Sequence, residues 1–574
     1  MDTLLLNRRS RIWTVGVLNL ILVGCGSSNS LSPERESAVS VASPQENSTD
    51  RPAPGSPGSL TPDPAQRIAP ASTAPPVTAT DAALAVAAAT ATAPAPGHSA
   101  VVDTAASTSV ETGRDGPSTD RLTSQSPQDT DPPDQPAGII SSLPVVNTAI
   151  AAWPQFRGPD GQGHALATAA PLRWNEKKNV AWKVPLRGLG WSSPVIADGQ
   201  IWLTSAVAAD HTLHVLCLDV ETGALLHDIE VFRKDQLGTI HTKNSHASPT
   251  PVLEGDRCFV HFGAHGTAAL STTGQILWKT EIPYYHHHGP ASSPVLVNHS
   301  LIIACDGLDH AFYDAHVVAG ATDPQFVVAL DAMQGTVRWR MRRDGRHSYA
   351  TPLAIEVEGQ TQVVSPGGSR VVAYDPSTGA EIWSCRYEGY SLVPRPVSGH
   401  GLVFVCTGYD VATLLAIRPT GHGDITDSHV AWQAKQGVPL NASPILIGDE
   451  LYTISDQGVA TCWDALTGKV HWKKRLGGNH SASPLLADGK LYVLDETGTT
   501  HVLQPGTKPK VLAKNVLRGK TLASLAAYGR AIYLRSDSHL YRLEEPATSL
   551  KSEPGAPADS DSDSDRDPDS PESE

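Results

Sequence analysis

The chain has 574 residues, with 48 glycines, 45 prolines and seven cysteines, and its 59 acidic against 44 basic side chains give a net charge of −15. The charge sits in the flanks: residues 26–145 hold 13 acidic residues and five arginines, residues 559–574 hold eight acidic residues and one arginine, and residues 1–25 carry +2, which leaves −2 for residues 146–558. A nearly neutral centre offers no electrostatic footprint for nucleic acid, and at roughly 400 residues it is long enough for one large core.

Residues 1–25 read as a bacterial lipoprotein signal. Arg8, Arg9 and Arg11 precede an apolar run over 15–23 that ends in Leu22-Val23-Gly24-Cys25, far short of the roughly 20 apolar residues that cross a bilayer. Lipidation is predicted at Cys25, and several acyl chains suffice for stable anchoring in a membrane. Gly26 stands where an inner-membrane retention signal places Asp, so the expected location is the periplasm-facing side of the outer membrane rather than the inner. Residues 26–147 contain no Phe, Trp or Tyr; such a segment buries too little surface to offset its ordering entropy and is expected to be a disordered linker, spanning on the order of 60 Å.

From residue 150 to 546 a repeat takes over. An apolar alternating run, an Asp and Gly at a tip, and a second run with Trp four residues past the Gly recur at Asp331-Gly335-Trp339, Asp375-Gly379-Trp383 and Asp464-Gly468-Trp472, with weaker copies ending in His227 and Trp278. Each copy is a predicted β-hairpin: Asp bonds amides ahead of it and Gly takes the positive φ of the turn. A large aromatic at a fixed place is expected to pack between neighbouring copies. Ahead of the hairpins stands Ser or Thr with Pro (Arg with Pro at 395, Ser without Pro at 524), then an apolar run, a turn and another run, making a four-stranded unit. The starts are Ser193, Ser248, Ser293, Thr351, Arg395, Ser443, Ser483 and Ser524, 40 to 58 residues apart. Eight units of this period predict an all-β, eight-bladed β-propeller of four-stranded antiparallel blades. The last unit, ending at Leu543, is one strand short, and Val180-Ala181-Trp182-Lys183-Val184-Pro185 at the other end has a strand pattern without a partner. Closing the ring with that N-terminal strand removes both free edges. Residues 547–574, rich in Asp-Ser, are expected to be an acidic disordered tail.

The repeat resembles the pyrroloquinoline quinone (PQQ) type of propeller repeat, shared by quinoprotein dehydrogenases and by BamB, the lipoprotein of outer-membrane barrel assembly. The opening Trp153-Pro154-Gln155-Phe156-Arg157-Gly158-Pro159 and the later Gly190-Trp191-Ser192-Ser193-Pro194 look similar to PQQ-like repeat lipoproteins of the planctomycete type. The resemblance implies that the loops before the strand-opening Ser-Pro face the mouth of the central channel. The candidate ligand or partner site is therefore Asn244, His246, His288, His347, Tyr349, Arg395, Asn441 and His480, with Tyr390, Asn479 and His286-His287 beside them. The identity of any metal at this His rim stays open, because its sequence spacing is long.

Quinone chemistry in this family uses two adjacent cysteines, and no two of the seven are adjacent here; no Cys-x-x-Cys-His for haem exists either. Cys217, Cys258, Cys305, Cys385, Cys406 and Cys462 lie in or beside apolar runs and read as small buried hydrophobes. Asp306 and Asp456 end strands without the Asp-x-Asp-x-Asp-Gly spacing of a calcium loop, and no Gly-x-Ser-x-Gly, P-loop or His-Glu-x-x-His occurs. The expectation is a monomeric, membrane-anchored envelope propeller without cofactor or catalysis, binding envelope proteins or a small molecule on one face. The alternatives are a PQQ-binding oxidoreductase lacking the disulfide and a metal-dependent enzyme using the histidines.

Overall fold

The computed structural model describes residues 140–141 and 152–546, except 168, 285, 287 and 308–324. The chain divides into Met1–Ser124 and Gln125–Glu574, and every described residue lies in the second unit. The lipoprotein signal with Cys25, nearly all of the predicted linker and the acidic tail lie outside the described residues, as do His287 and the segment that lengthens blade 3.

Eight sheets built on four antiparallel strands follow one another around a ring, seven of them four-stranded and that of blade 4 extended to six by Ile140–Ser141, which pairs with Glu356 and Val357 although it lies within the expected linker, and by Gly423–Asp424; no α-helix occurs among the described residues. Blade 1 runs from the axis outward through Val195–Ala197, Gln200–Val207, Thr212–Asp219 and Leu225–Arg233. Blades 2 to 7 repeat the pattern, their innermost strands being Val252–Glu254, Val295–Val297, Leu353–Val357, Val397–Gly399, Ile445–Ile447 and Leu485–Ala487. Blade 8 has Ala526–Tyr528, Ala531–Arg535 and His539–Leu543 from the C-terminal end. Its outermost strand is Val180–Pro185, antiparallel to the last with Lys183 opposite Tyr541. The expected closure of the ring by the Trp182 strand is therefore observed. One start differs: Thr250-Pro251, not Ser248-Pro249, leads into Val252–Glu254. In Ser248-Pro249-Thr250-Pro251 two such dipeptides are adjacent, and it is Thr250 that takes the axial place, accepting the N–H of Ser193 and donating its own N–H to Ser293 Oγ at 2.9 Å.

The repeated aromatic joins consecutive blades. Trp182, Trp278, Trp339 and Trp432 each sit on an outermost strand and donate Nε1–H to a carbonyl in the hairpin turn of the next blade, at Val220, Ala332, Pro376 and Ala465 over 2.9–3.3 Å. The indole lies flat on that turn's glycine, so a Cβ on Gly223, Gly335, Gly379 or Gly468 would come within 2.5–2.9 Å of the ring. Trp383 departs from this. Its Nε1–H turns inward to Gln362 Oε1 at 2.8 Å, because the turn of blade 5 is replaced by a longer segment whose Gly423–Asp424 pairs in parallel with Trp383 and Ser384. Most of the apolar core lies in clusters between adjacent blades, such as Trp339, Ile302, Val327 and Tyr374 between blades 3 and 4. The six described cysteines are buried there and unbridged.

Candidate functional site

The innermost strands bring eight equivalent residues to the axis, one per blade: Ser193, Thr250, Ser293, Thr351, Arg395, Ser443, Ser483 and Ser524. The backbone N–H of one donates to the hydroxyl of the next. Ser193 reaches Thr250, Thr250 reaches Ser293, and Ser293 reaches Thr351 at 2.9–3.0 Å. Arg395 reaches Ser443, Ser443 reaches Ser483, and Ser483 reaches Ser524 over the same range. The belt thus links blade to blade and satisfies amides that strand pairing leaves unpaired at the axis. Arg395, which has no hydroxyl to offer, marks one break, and the unpartnered Ser193 Oγ marks another.

Below the belt the channel is closed by the chain's own segment 153–165. Trp153 exchanges backbone bonds with Ile196 of blade 1 at 2.7 and 2.8 Å, Leu253 of blade 2 donates to Pro154 O, and Ala165 and Gly163 bond Leu486 of blade 7. Arg395 Nη1 donates to Phe156 O at 2.6 Å, Ser398 N to Gln162 Oε1 at 2.6 Å, and His164 Nε2 lies 2.7 Å from Leu446 O. Gly161 is required in this plug: it takes φ 68° and a Cβ there would lie 2.5 Å from the Arg395 guanidinium. Above the belt, the blade 1–2 connection reaches the mouth. Lys243 Nζ pairs with Glu496 Oε1 of blade 7 at 2.8 Å, and Lys520 Nζ donates to Thr242 O at 3.2 Å. Between floor and mouth lies a cavity of about 120 Å³ lined by Phe156, Trp191, Lys243, Asn244, Asn441 and most of the belt.

The predicted site residues fall into five places. Asn244 and Asn441 line the cavity, but both are held. Asn244 Nδ2 donates to His288 O and Pro290 O at 2.7 and 3.2 Å, and Asn441 Nδ2 donates to Asp456. Arg395 is 2% exposed and sits in the floor. His288, His347 and Tyr349 come together beside the axis, with ring centroids 5.6–6.0 Å apart and Tyr349 Oη 2.9 Å from His288 Nδ1; Tyr390 joins them at 5.4 Å from His347, under the Arg346 guanidinium. His246 is buried in a second group, 5.9 Å from His265, which is 5.2 Å from His286. His480 is fully buried between blades 6 and 7, near Asp495 and His501, with neither ring nitrogen hydrogen-bonded. None of the four histidines lines the cavity. Among the described residues no group of three or more His, Cys, Asp or Glu is placed to hold a metal ion. Of the belt only Arg395 is among the residues expected from sequence; its hydroxyls, Trp191 and Lys243 are not, because Ser/Thr-Pro reads along the chain only as a strand start.

Burial governs the electrostatics. It lowers Arg157 to about 9, with the neighbouring Arg395 charge adding to the effect, lowers Arg395 to about 10 and Arg535 to about 9. All three remain cations at neutral pH. Asp160, the one carboxylate acting on Arg157 and Arg395, is itself held below the usual range: burial opposes ionisation, but the His164 ring and the Gln162 N–H overcome it. The axis therefore carries hydroxyls, amides and positive charge, and at the mouth Glu496 Oε1 accepts from Ser481 Oγ of the cavity wall at 2.6 Å as well as pairing with Lys243. A family model described as outer membrane protein assembly factor BamB matches residues 172–307, 304–427 and 423–522, more than half of the chain. The chain belongs to this family. Among solved structures, BamB from Moraxella catarrhalis is 14% identical with a TM-score of 0.46, over 64% of this chain and 98% of that one. A quinohemoprotein alcohol dehydrogenase from Pseudomonas putida HK5 is 11% identical with a TM-score of 0.48, over 69% and 82%. The computationally designed Ika8 protein is 12% identical with a TM-score of 0.43, over 67% and 100%. A search of curated proteins gives no match. The BamB-family chain is thus a PQQ-type propeller whose channel is filled from below by its own Trp153–Ala165 segment.

Proposed function

We propose that this protein is a lipid-anchored scaffold of the bacterial envelope, on the outer membrane, that binds other envelope proteins through loops on one face of the propeller and performs no catalysis. The observation that carries this reading is the filled channel: a ring closed on its axis leaves loops as its working surface, the usual arrangement of function on a rigid scaffold. Membership of the BamB family supports partners in outer-membrane protein assembly. Three observations weigh against a fused-ring quinone on the axis. The axial cavity, of about 120 Å³, is well below the roughly 300–1,000 Å³ of ligand pockets, its one lining cation is paired with Glu496, and no two cysteines are adjacent. Cys25 is the proposed anchor. Affinity capture from envelope extracts with the full chain as bait is expected to retain proteins of the barrel-assembly apparatus, and Cys25→Ala is expected to release the protein into the soluble fraction. Capture of none, with a quinone-type absorption band in the purified protein, would replace the scaffold reading by the oxidoreductase one.

A further inference from the structure

We propose that the axial cavity above Phe156 is a binding site for one small oxyanion, a carboxylate or an inorganic phosphate. The argument starts from where the hydroxyl protons go. Thr250, Ser293, Ser443, Ser483 and Ser524 each accept a backbone N–H from the preceding blade. None of these five hydroxyls donates to a protein acceptor among the described residues, and Ser193 Oγ has no partner of any kind. All six line the cavity and all are more than nine-tenths buried. An oxygen that accepts an N–H becomes a better donor through its own proton, since bonds in a chain polarise one another. The belt is therefore a ring of O–H donors converging on one space from several directions.

Two further groups point the same way. Trp191, 8% exposed, lines the cavity, and its Nε1–H is buried without an acceptor. Indole nitrogen can only donate. Lys243 brings an ammonium to the mouth, where it shares Glu496 Oε1 with Ser481 Oγ, and no Asp or Glu is among the residues lining the cavity itself. The surroundings are also cationic. Arg395 bonds the carbonyl of Phe156 in the floor, and Arg535 donates to Ser192 Oγ at 2.6 Å, next to Ser193 in the belt. Arg535 has no ion pair among the described residues. Buried donors without acceptors are costly, and a ligand with several acceptor oxygens and a negative charge meets them together. The volume of about 120 Å³ admits an ion of that size. This site is independent of the scaffold reading above, since a partner held by the loops and an ion held on the axis are separate properties.

The test is calorimetric titration of the detergent-solubilised full chain with inorganic phosphate and, separately, with acetate, at constant ionic strength. One saturable site per chain is expected for at least one of them, and the anion that saturates identifies the source as phosphate or carboxylate. Ser193→Ala and Trp191→Phe each remove a donor that bonds nothing in the protein, so each is expected to leave the ligand-free melting temperature unchanged and to weaken binding roughly tenfold. Lys243→Met is expected to weaken it at least as much. Absence of saturable heat with both anions overturns the proposal. So does saturable binding that Ser193→Ala and Trp191→Phe leave unaltered, or a rise in melting temperature that is linear in salt and equal in all variants, which marks surface exclusion rather than a site.

Discussion

The contact that repeats around the ring is an indole laid on a glycine. In the turn after Asp375 the carboxylate accepts Ser377 N, Thr378 N and Thr378 Oγ1 at 2.8–3.0 Å, which folds the chain back and sets Gly379 at φ 75°. That geometry exposes a bare Cα to Trp339 of the preceding blade. Gly379→Ala therefore combines backbone strain at positive φ with a Cβ 2.7 Å from the indole. The expected loss of stability is about 2–4 kcal/mol in urea titrations, against about 1 kcal/mol for Thr378→Ala, which removes one hydrogen-bonding hydroxyl. A loss below about 1 kcal/mol for the glycine variant would mean that Trp339 does not bear on that turn. This residue-scale code is legible from sequence because its parts lie within nine positions of one another, from Asp375 to Trp383 and likewise in the other copies.

At the scale of an element, blade 2 holds an acid-sensitive group. His261 ends its second strand, His265 ends the turn Gly263–His265, His286 lies in the exit to blade 3 and His246 in the entry from blade 1. Burial lowers His261 to about 3 and His265 to about 4, with the charge of neighbouring imidazoles adding to it, and it lowers His246 and His286 as well. Lys234 also disfavours charge on His265, while Leu237 O and Glu281 favour it. Above pH 6.5 these rings are neutral in both the folded and unfolded chain. Below it the unfolded chain takes up protons that the folded one refuses, so stability falls as pH falls from about 6.5 toward 4, by up to about 1.4 kcal/mol per pH unit for each ring. Denaturant titrations at pH 7, 6 and 5 are expected to show this decline, and His265→Asn to flatten it by about one proton. Equal stability at the three pH values would place these imidazoles in water. The sequence shows the histidines but not this burial, which comes from the loop and the turn folding over one another.

For the whole molecule, closure and plugging are carried by one stretch of chain. Residues 153–165 fill the axis, Pro171 O accepts Tyr492 Oη at 3.1 Å, Trp174 N donates to Asn515 Oδ1 at 3.0 Å, and Val180–Pro185 completes blade 8. Trp153 is 1% exposed in a core shared with Ile196, Leu485 and Ile532. Trp153→Ala is expected to cost about 3–5 kcal/mol. Deleting residues 150–186 opens two sheet edges and empties the channel, and is expected to abolish the cooperative thermal transition. A shortened chain that melts at the temperature of the full one would show that the ring stands without its N-terminal segment.

The blades, their number and the closing strand follow from sequence because period-2 alternation, turn chemistry and a 40–58-residue repeat are local properties, readable wherever they occur. Even the missing strand of blade 8 could be matched to Val180–Pro185, since an unpaired edge must find a partner. Three things were decided only by tertiary structure. The choice of Thr250 over Ser248 as the start of blade 2 rests on which of the two meets Ser193 and Ser293 of the neighbouring blades. The division of the histidines into buried groups beside the axis rests on how neighbouring connections pack. The hydroxyl belt and the plug beneath it join residues such as Phe156 and Arg395, 239 positions apart. Sequence order carries no sign of that meeting, because a ring brings each blade's first residue to the same axis whatever length of chain separates them.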